Sequence, residues 1–198
     1  MEQTVSPTYT AFLAGSRLAT GILCDVALAV LRAKQTHPEG QALVFCDVDG
    51  KSADLDLRGG EDAVQARYTV AAPPPSPKGR GRPKLGVVAR EVTLMPEHWD
   101  WLATQPGGAS VALRKLVHEA KRSNGDRDRT RRARERAYHA MSTLAGDLHG
   151  FEEAARALFS GNYERLVAEM TGWPPDVQAY VMHLAEIPTP TELPHQET

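Results

Sequence analysis

Two short stretches of this chain carry residues whose type and spacing could do chemistry. The first is Lys78-Gly79-Arg80-Gly81-Arg82-Pro83-Lys84, which follows the prolines at 73, 74, 75 and 77. Prolines before it and glycines within it predict an extended, mobile segment with no core of its own. An extended strand with guanidinium groups either side of a glycine is narrow enough to enter the minor groove of A·T-rich DNA. There the groove concentrates negative potential. The alternative is a solvated basic linker. The second stretch is Phe45-Cys46-Asp47-Val48-Asp49-Gly50, an apolar strand ending in paired carboxylates.

The spacing in the second stretch is similar to the nucleophile motif of haloacid-dehalogenase-type phosphatases and to the start of an EF-hand loop. Its context argues for neither. Lys51 stands where the phosphatases carry a hydroxyl, and Lys51, Ala53 and Arg58 stand where an EF-hand needs oxygen donors. Asp49-Gly50 is instead a two-residue hairpin signal. Cys24 and Cys46 lie in apolar runs without metal-ligand spacing, so both read as small buried hydrophobes. The seven histidines include no pair at ligand spacing on one helix face. Neither a nucleophile elbow nor a phosphate loop is present. The expectation is a protein that is not an enzyme and uses no cofactor or metal.

Charge distribution adds to the first stretch. The 198 residues carry a net charge of −2. Residues 73–136 hold 15 Lys and Arg against 7 Asp and Glu, a net of +8. The flanks at 1–72 and 137–198 come to −3 and −7. A basic middle between acidic ends is the electrostatic footprint of a nucleic-acid contact zone, unless the ends fold back to neutralise it. No apolar run approaches membrane-spanning length, and the N-terminus lacks a basic region followed by an apolar stretch. The expected location is the cytoplasm.

The elements that must position these residues follow from periodicity. Tyr9–Ala14 reads as a strand, with Leu18–Thr20 returning after the Gly15-Ser16 turn. Leu23, Val26, Ala27, Val30 and Leu31 recur at helical spacing. Ala42–Val48 and Ser52–Leu57 read as strands about Asp49-Gly50, giving a ββαββ module, or βαββ if the first hairpin is only a loop. Val87–Met95 is a strand pattern stopped by Pro96. Glu97–Thr104 is a helix opened by that proline, and Gln105-Pro106-Gly107-Gly108 breaks it. Ser110 then caps a helix bearing Val111, Leu113, Leu116, Val117 and Ala120. One long helix is expected over 127–148, basic at first, with Arg129 and Arg132 as candidate phosphate contacts. Helices follow at 151–159, 163–170 and 176–185. Trp99, Trp101, Tyr163 and Trp173 read as core residues, and His98 and His118 as surface. The fold class is α+β, with 1–70 a small α+β domain, 71–86 a flexible basic linker, 87–125 a central segment, 126–187 a helical bundle and 188–198 a disordered tail.

Particular segments also resemble known families. Arg80-Gly81-Arg82-Pro83 resembles the AT-hook core, which implies Arg80 and Arg82 as the groove-inserting pair. The segment Arg90-Glu91-Val92-Thr93-Leu94-Met95-Pro96-Glu97, followed by Gly108-Ala109-Ser110-Val111-Ala112-Leu113-Arg114, resembles the ribbon-helix-helix fold of bacterial repressors and antitoxins. That resemblance implies a homodimer whose paired strands lie in the major groove, with the N-terminus of the second helix, at Ser110, on a phosphate. The groove-facing positions would be Leu94, Val92 and Arg90. Two are apolar and could read only thymine methyls or shape. Either the register differs by one residue or the ribbon serves dimerisation. The whole chain also resembles an uncharacterised bacterial family, which implies bacterial origin and no activity. Together these give the expectation of a dimeric transcriptional regulator that prefers A·T-rich DNA. Its DNA-contacting set would be Lys78, Arg80, Gly81, Arg82, Pro83, Lys84, Arg90, Ser110, Arg129 and Arg132. The alternative is a protein-interaction adaptor or antitoxin-like module that binds a protein partner.

Overall fold

A computed structural model describes residues 6–69 and 87–187 of the chain. They fall into two compact units, one drawn from residues 1–70 and 129–198, the other from residues 71–128. The architecture is α+β, with three strands and eight helices among the described residues.

In the first unit β1 (Tyr9–Leu13) and β2 (Ser16–Gly21) form a hairpin, and β3 (Ala42–Cys46) joins the other side of β1. The sheet is antiparallel in the order β2-β1-β3. Helix α1 (Leu23–Thr36) lies between β2 and β3 in the chain. Its Val26 and Val30 pack on Ala11 and Val44, the side chains of one sheet face. Asp25 in its first turn and Lys34 in its last complement the helix dipole.

The expected fifth element, a returning strand, does not form. After the turn at Asp49-Gly50 the chain pairs back only through a single bridge between Phe45 and Ser52, so the module is ββαβ. Residues 53–57 leave the ladder because Ala53, Leu55 and Leu57 turn toward the α1 side of the core instead of extending the sheet. An unforeseen helix, α2 (Gly60–Tyr68), follows and packs beside α1. Only its Val64 is buried, so it carries almost no periodic signal.

The other sheet face meets the C-terminal helices: α5 (Gly125–Ala145), α6 (Phe151–Ser160), α7 (Tyr163–Glu169) and α8 (Pro175–Leu184). Phe12 and Phe45 enter one core with Met141, Leu158, Leu166, Val177 and Tyr180. Phe12 lies 5.2 Å from the Tyr180 ring and 6.2 Å from Phe45, a tilted aromatic triangle at the centre of the unit. The helix starts follow local chemistry. The Asn162 side chain accepts from the Arg165 N–H to cap α7, and proline opens α8.

The second unit is an α-hairpin. Helix α3 (Pro96–Ala103) starts on a proline in its first turn, and α4 (Gly108–Ser123) follows Gly107 at φ +85°. The left-handed Gly107 and Gly108 let the chain reverse within four residues. Residues 87–95 before α3 carry no strand, contrary to the expected Val87–Met95 strand. A lone strand has no neighbour for its backbone groups, and the described part of this unit offers none.

Candidate nucleic-acid interface

The α3–α4 hairpin buries little of its own apolar surface. Leu102 and Ala112 are its buried residues, while Leu116 and Val117 on α4 stay 49% and 65% exposed. Trp99 and Trp101, expected in the core, are exposed as well. Two helices of 8 and 16 residues cannot surround large rings by themselves. Val111, Leu113, Leu116, Val117 and Ala120 on α4 carry the amphipathic signal already legible in the sequence. Its partner surface is a groove of about 240 Å³ lined by Leu94, His98, Trp101, Leu102, Leu113 and Leu116. Leu94 therefore turns toward the helices, while Arg90 and Val92 on the same segment are exposed.

Ser110 sits inside α4 and not at its cap. The helix begins at Gly108 after Gly107, because the left-handed glycine turn closes three residues earlier than a serine cap would require. The Ser110 hydroxyl accepts from Arg114 one turn on, at 3.4 Å. It remains exposed in the first turn of the helix, next to amides that are free of intrahelical partners. Arg114, Lys115, Lys121 and Arg122 add exposed positive charge along α4. Arg122 also pairs with Glu119 at 3.0 Å.

Arg129 and Arg132 are exposed and three residues apart on α5, within the first unit. That spacing places them on one helix face. Two other arginines of α5 serve the fold. Arg134 donates to the Phe159 carbonyl, and Arg136 donates to the Leu184 carbonyl and pairs with Glu186 at 2.8 Å. Lys78, Arg80, Gly81, Arg82, Pro83 and Lys84 lie outside the described residues. The structure thus places Arg90 and Ser110 in one unit and Arg129 with Arg132 in the other.

The carboxylate motif has a clear structural use. Asp47 Oδ1 accepts from the Thr10 hydroxyl at 2.9 Å and from the Tyr180 hydroxyl at 2.8 Å. Burial, with the Asp47 carboxylate beside it, pushes the Tyr180 phenol well above its ordinary value. Asp49-Gly50 forms the expected turn, closed by the Gly50 N–H to the Cys46 carbonyl at 2.8 Å. The turn docks on α5, where the His139 ring lies 3.0 Å from the Asp49 carbonyl. Among the described residues no group of three or more His, Cys, Asp and Glu could hold a metal ion. Likewise, none of the described helices is long and apolar enough to cross a membrane.

The family described as "Uncharacterized protein conserved in bacteria (DUF2239)" matches residues 8–185. The chain belongs to this family. The matched span takes in the α+β unit, the basic middle and the helical hairpin. No curated protein and no solved structure matches the chain.

Proposed function

We propose that the chain is a bacterial DNA-binding regulator that works as a homodimer in the cytoplasm. The observation that carries this reading is the uncovered apolar face of α4 in a basic stretch of chain. A second copy of the hairpin would cover Leu113, Leu116 and Val117 and supply the core that one copy lacks. The same pairing would bring two copies of residues 87–95 together and let each extend as a strand against the other, as in a ribbon-helix-helix dimer. The AT-hook-like arm at Lys78–Lys84 would enter the minor groove of A·T-rich DNA through Arg80 and Arg82. Ser110 would meet a phosphate at the start of α4, with Arg90, Arg129 and Arg132 as further backbone contacts. Two arms on one dimer bind as linked sites, so each raises the effective concentration of the other. Such a regulator needs no catalytic step and no cofactor.

A second reading, a protein-interaction adaptor or antitoxin-like module, draws on Trp99 and Trp101. Exposed tryptophans beside an apolar groove are the anchors that protein interfaces favour. Sedimentation of the full chain with and without Leu116→Glu separates the two. The dimer reading expects the wild type to sediment as a dimer at micromolar concentration and the variant as a folded monomer. A wild type that is monomeric at those concentrations would favour the adaptor.

A further inference from the structure

We propose that the cleft between α1 and β3 in the first unit binds a free α-amino acid with a short aliphatic side chain. The cleft arises where residues 53–57 leave the sheet edge. The Val44 carbonyl still accepts from the Ala53 N–H at 2.7 Å. Alternation along β3 points the N–H and C=O of Ala42 to the same outer side as those of Val44. By Ala42 the returning chain has diverged, and its backbone groups have no partner on that side among the described residues. The space left is about 230 Å³. That lies below the ~300–1,000 Å³ of sites for drug-sized ligands and suits a molecule of fewer than about ten heavy atoms.

The lining gives the ligand its chemistry. Val30, Ala33, Val44, Leu55 and Leu57 form an aliphatic floor, which selects an apolar body. Lys34 and Asp54 stand at the same cleft with opposite charges. Neither makes an ion pair with the other or with any described residue. A simple anion would meet the Asp54 carboxylate and a simple cation the Lys34 ammonium. A zwitterion satisfies both, with its carboxylate at Lys34 and the Ala42 N–H, and its ammonium at Asp54. Gly40 at the rim lets Leu13 close one wall, since a Cβ there would stand 2.8 Å from the Leu13 Cδ1.

Backbone amide NMR titration of the full chain with L-leucine tests this site. Leucine is expected to shift the amides of Val30, Ala42, Val44 and Leu55 saturably. 4-Methylpentanoate, which keeps the carboxylate alone, and isoamylamine, which keeps the ammonium alone, should each bind about tenfold or more weakly. Lys34→Met and Asp54→Asn, both at exposed positions, should each weaken leucine about tenfold while leaving the remaining spectrum unchanged. The proposal is overturned if leucine gives no saturable shift at its highest soluble concentration. It is equally overturned if 4-methylpentanoate binds as tightly as leucine, or if the shifts map to another part of the unit.

Discussion

Replacing Tyr180 with Phe tests how the two ends of the chain hold together in the first unit. Tyr180 on α8 is 1% exposed, and its hydroxyl donates to Asp47 across 133 residues of sequence. A hydrogen bond to a charged acceptor contributes about 1.5–3 kcal/mol. Asp47 is half-buried and keeps its bond from Thr10, so solvent and Thr10 soften the loss. Tyr180→Phe should therefore cost ~1.5 kcal/mol. Asp47→Ala should cost more, about 2–4 kcal/mol, because it strands the buried Tyr180 hydroxyl and leaves the Thr10 hydroxyl only its 3.2 Å contact with Thr20. Urea denaturation followed by far-UV circular dichroism reads both values at neutral pH. The two changes should be strongly non-additive in a double-mutant cycle. Alkaline pH should weaken the same region. An unfolded tyrosine releases its proton near its ordinary pKa of 10.0, whereas folded Tyr180 holds its proton well above that. Between those values the folded state binds more protons, so the contribution is full below about pH 10 and falls as pH rises. Tyr180→Phe should flatten that alkaline slope. A variant as stable as wild type, with the slope intact, would show that the Tyr180–Asp47 bond holds nothing together.

Gly50 and Gly60 offer a contrast. Both have positive φ, but a Cβ at Gly50 collides with the Arg136 backbone carbonyl while Gly60 has open space. Gly60→Ala should cost ~1 kcal/mol of backbone strain, and Gly50→Ala at least about twice that, as thermal melts would read. Trp173 is 3% exposed and donates from its indole nitrogen to the His149 carbonyl at 2.9 Å. Trp173→Phe should lower stability by ~1–3 kcal/mol through the unpaired carbonyl and the reduced volume, measurable by the same urea titration. Val117→Lys on the exposed stripe of α4 should leave stability of the first unit unchanged and dissociate the proposed dimer in a sedimentation run.

Much of the fold is legible where one face of an element is buried. The stripe at Val26, Ala27 and Val30 marks α1, and the Asp49-Gly50 turn is stated by its residues. Helices α3 to α8 fall within a few residues of their expected limits because proline, glycine and asparagine punctuate them. Helix α2 stays hidden because a single buried valine, Val64, makes no period. The Ser52–Leu57 alternation suggests a strand, yet Leu55 and Leu57 serve a helix-facing core. Trp99 and Trp101 suggest core by residue type alone, and only the shortness of the hairpin explains their exposure. The bond from Tyr180 to Asp47 has no sequence signal, since nothing local ties residues so far apart. Among the candidate DNA-binding residues, charge and exposure are legible for Arg90, Arg129 and Arg132. The cap expected at Ser110 is displaced because two left-handed glycines start the helix earlier.

Selective binding of A·T-rich DNA by the basic arm is decided by salt-titrated affinity on A·T-rich and G·C-rich duplexes. The full chain should prefer the A·T-rich duplex and lose affinity steeply with salt. Changing Arg80 and Arg82 together to Ala should abolish the preference and flatten the log–log slope by roughly 0.9 for each phosphate no longer neutralised. Changing Arg129 and Arg132 to Ala should weaken both duplexes about equally. Undetectable binding to either duplex at low salt would rule out the DNA-binding regulator.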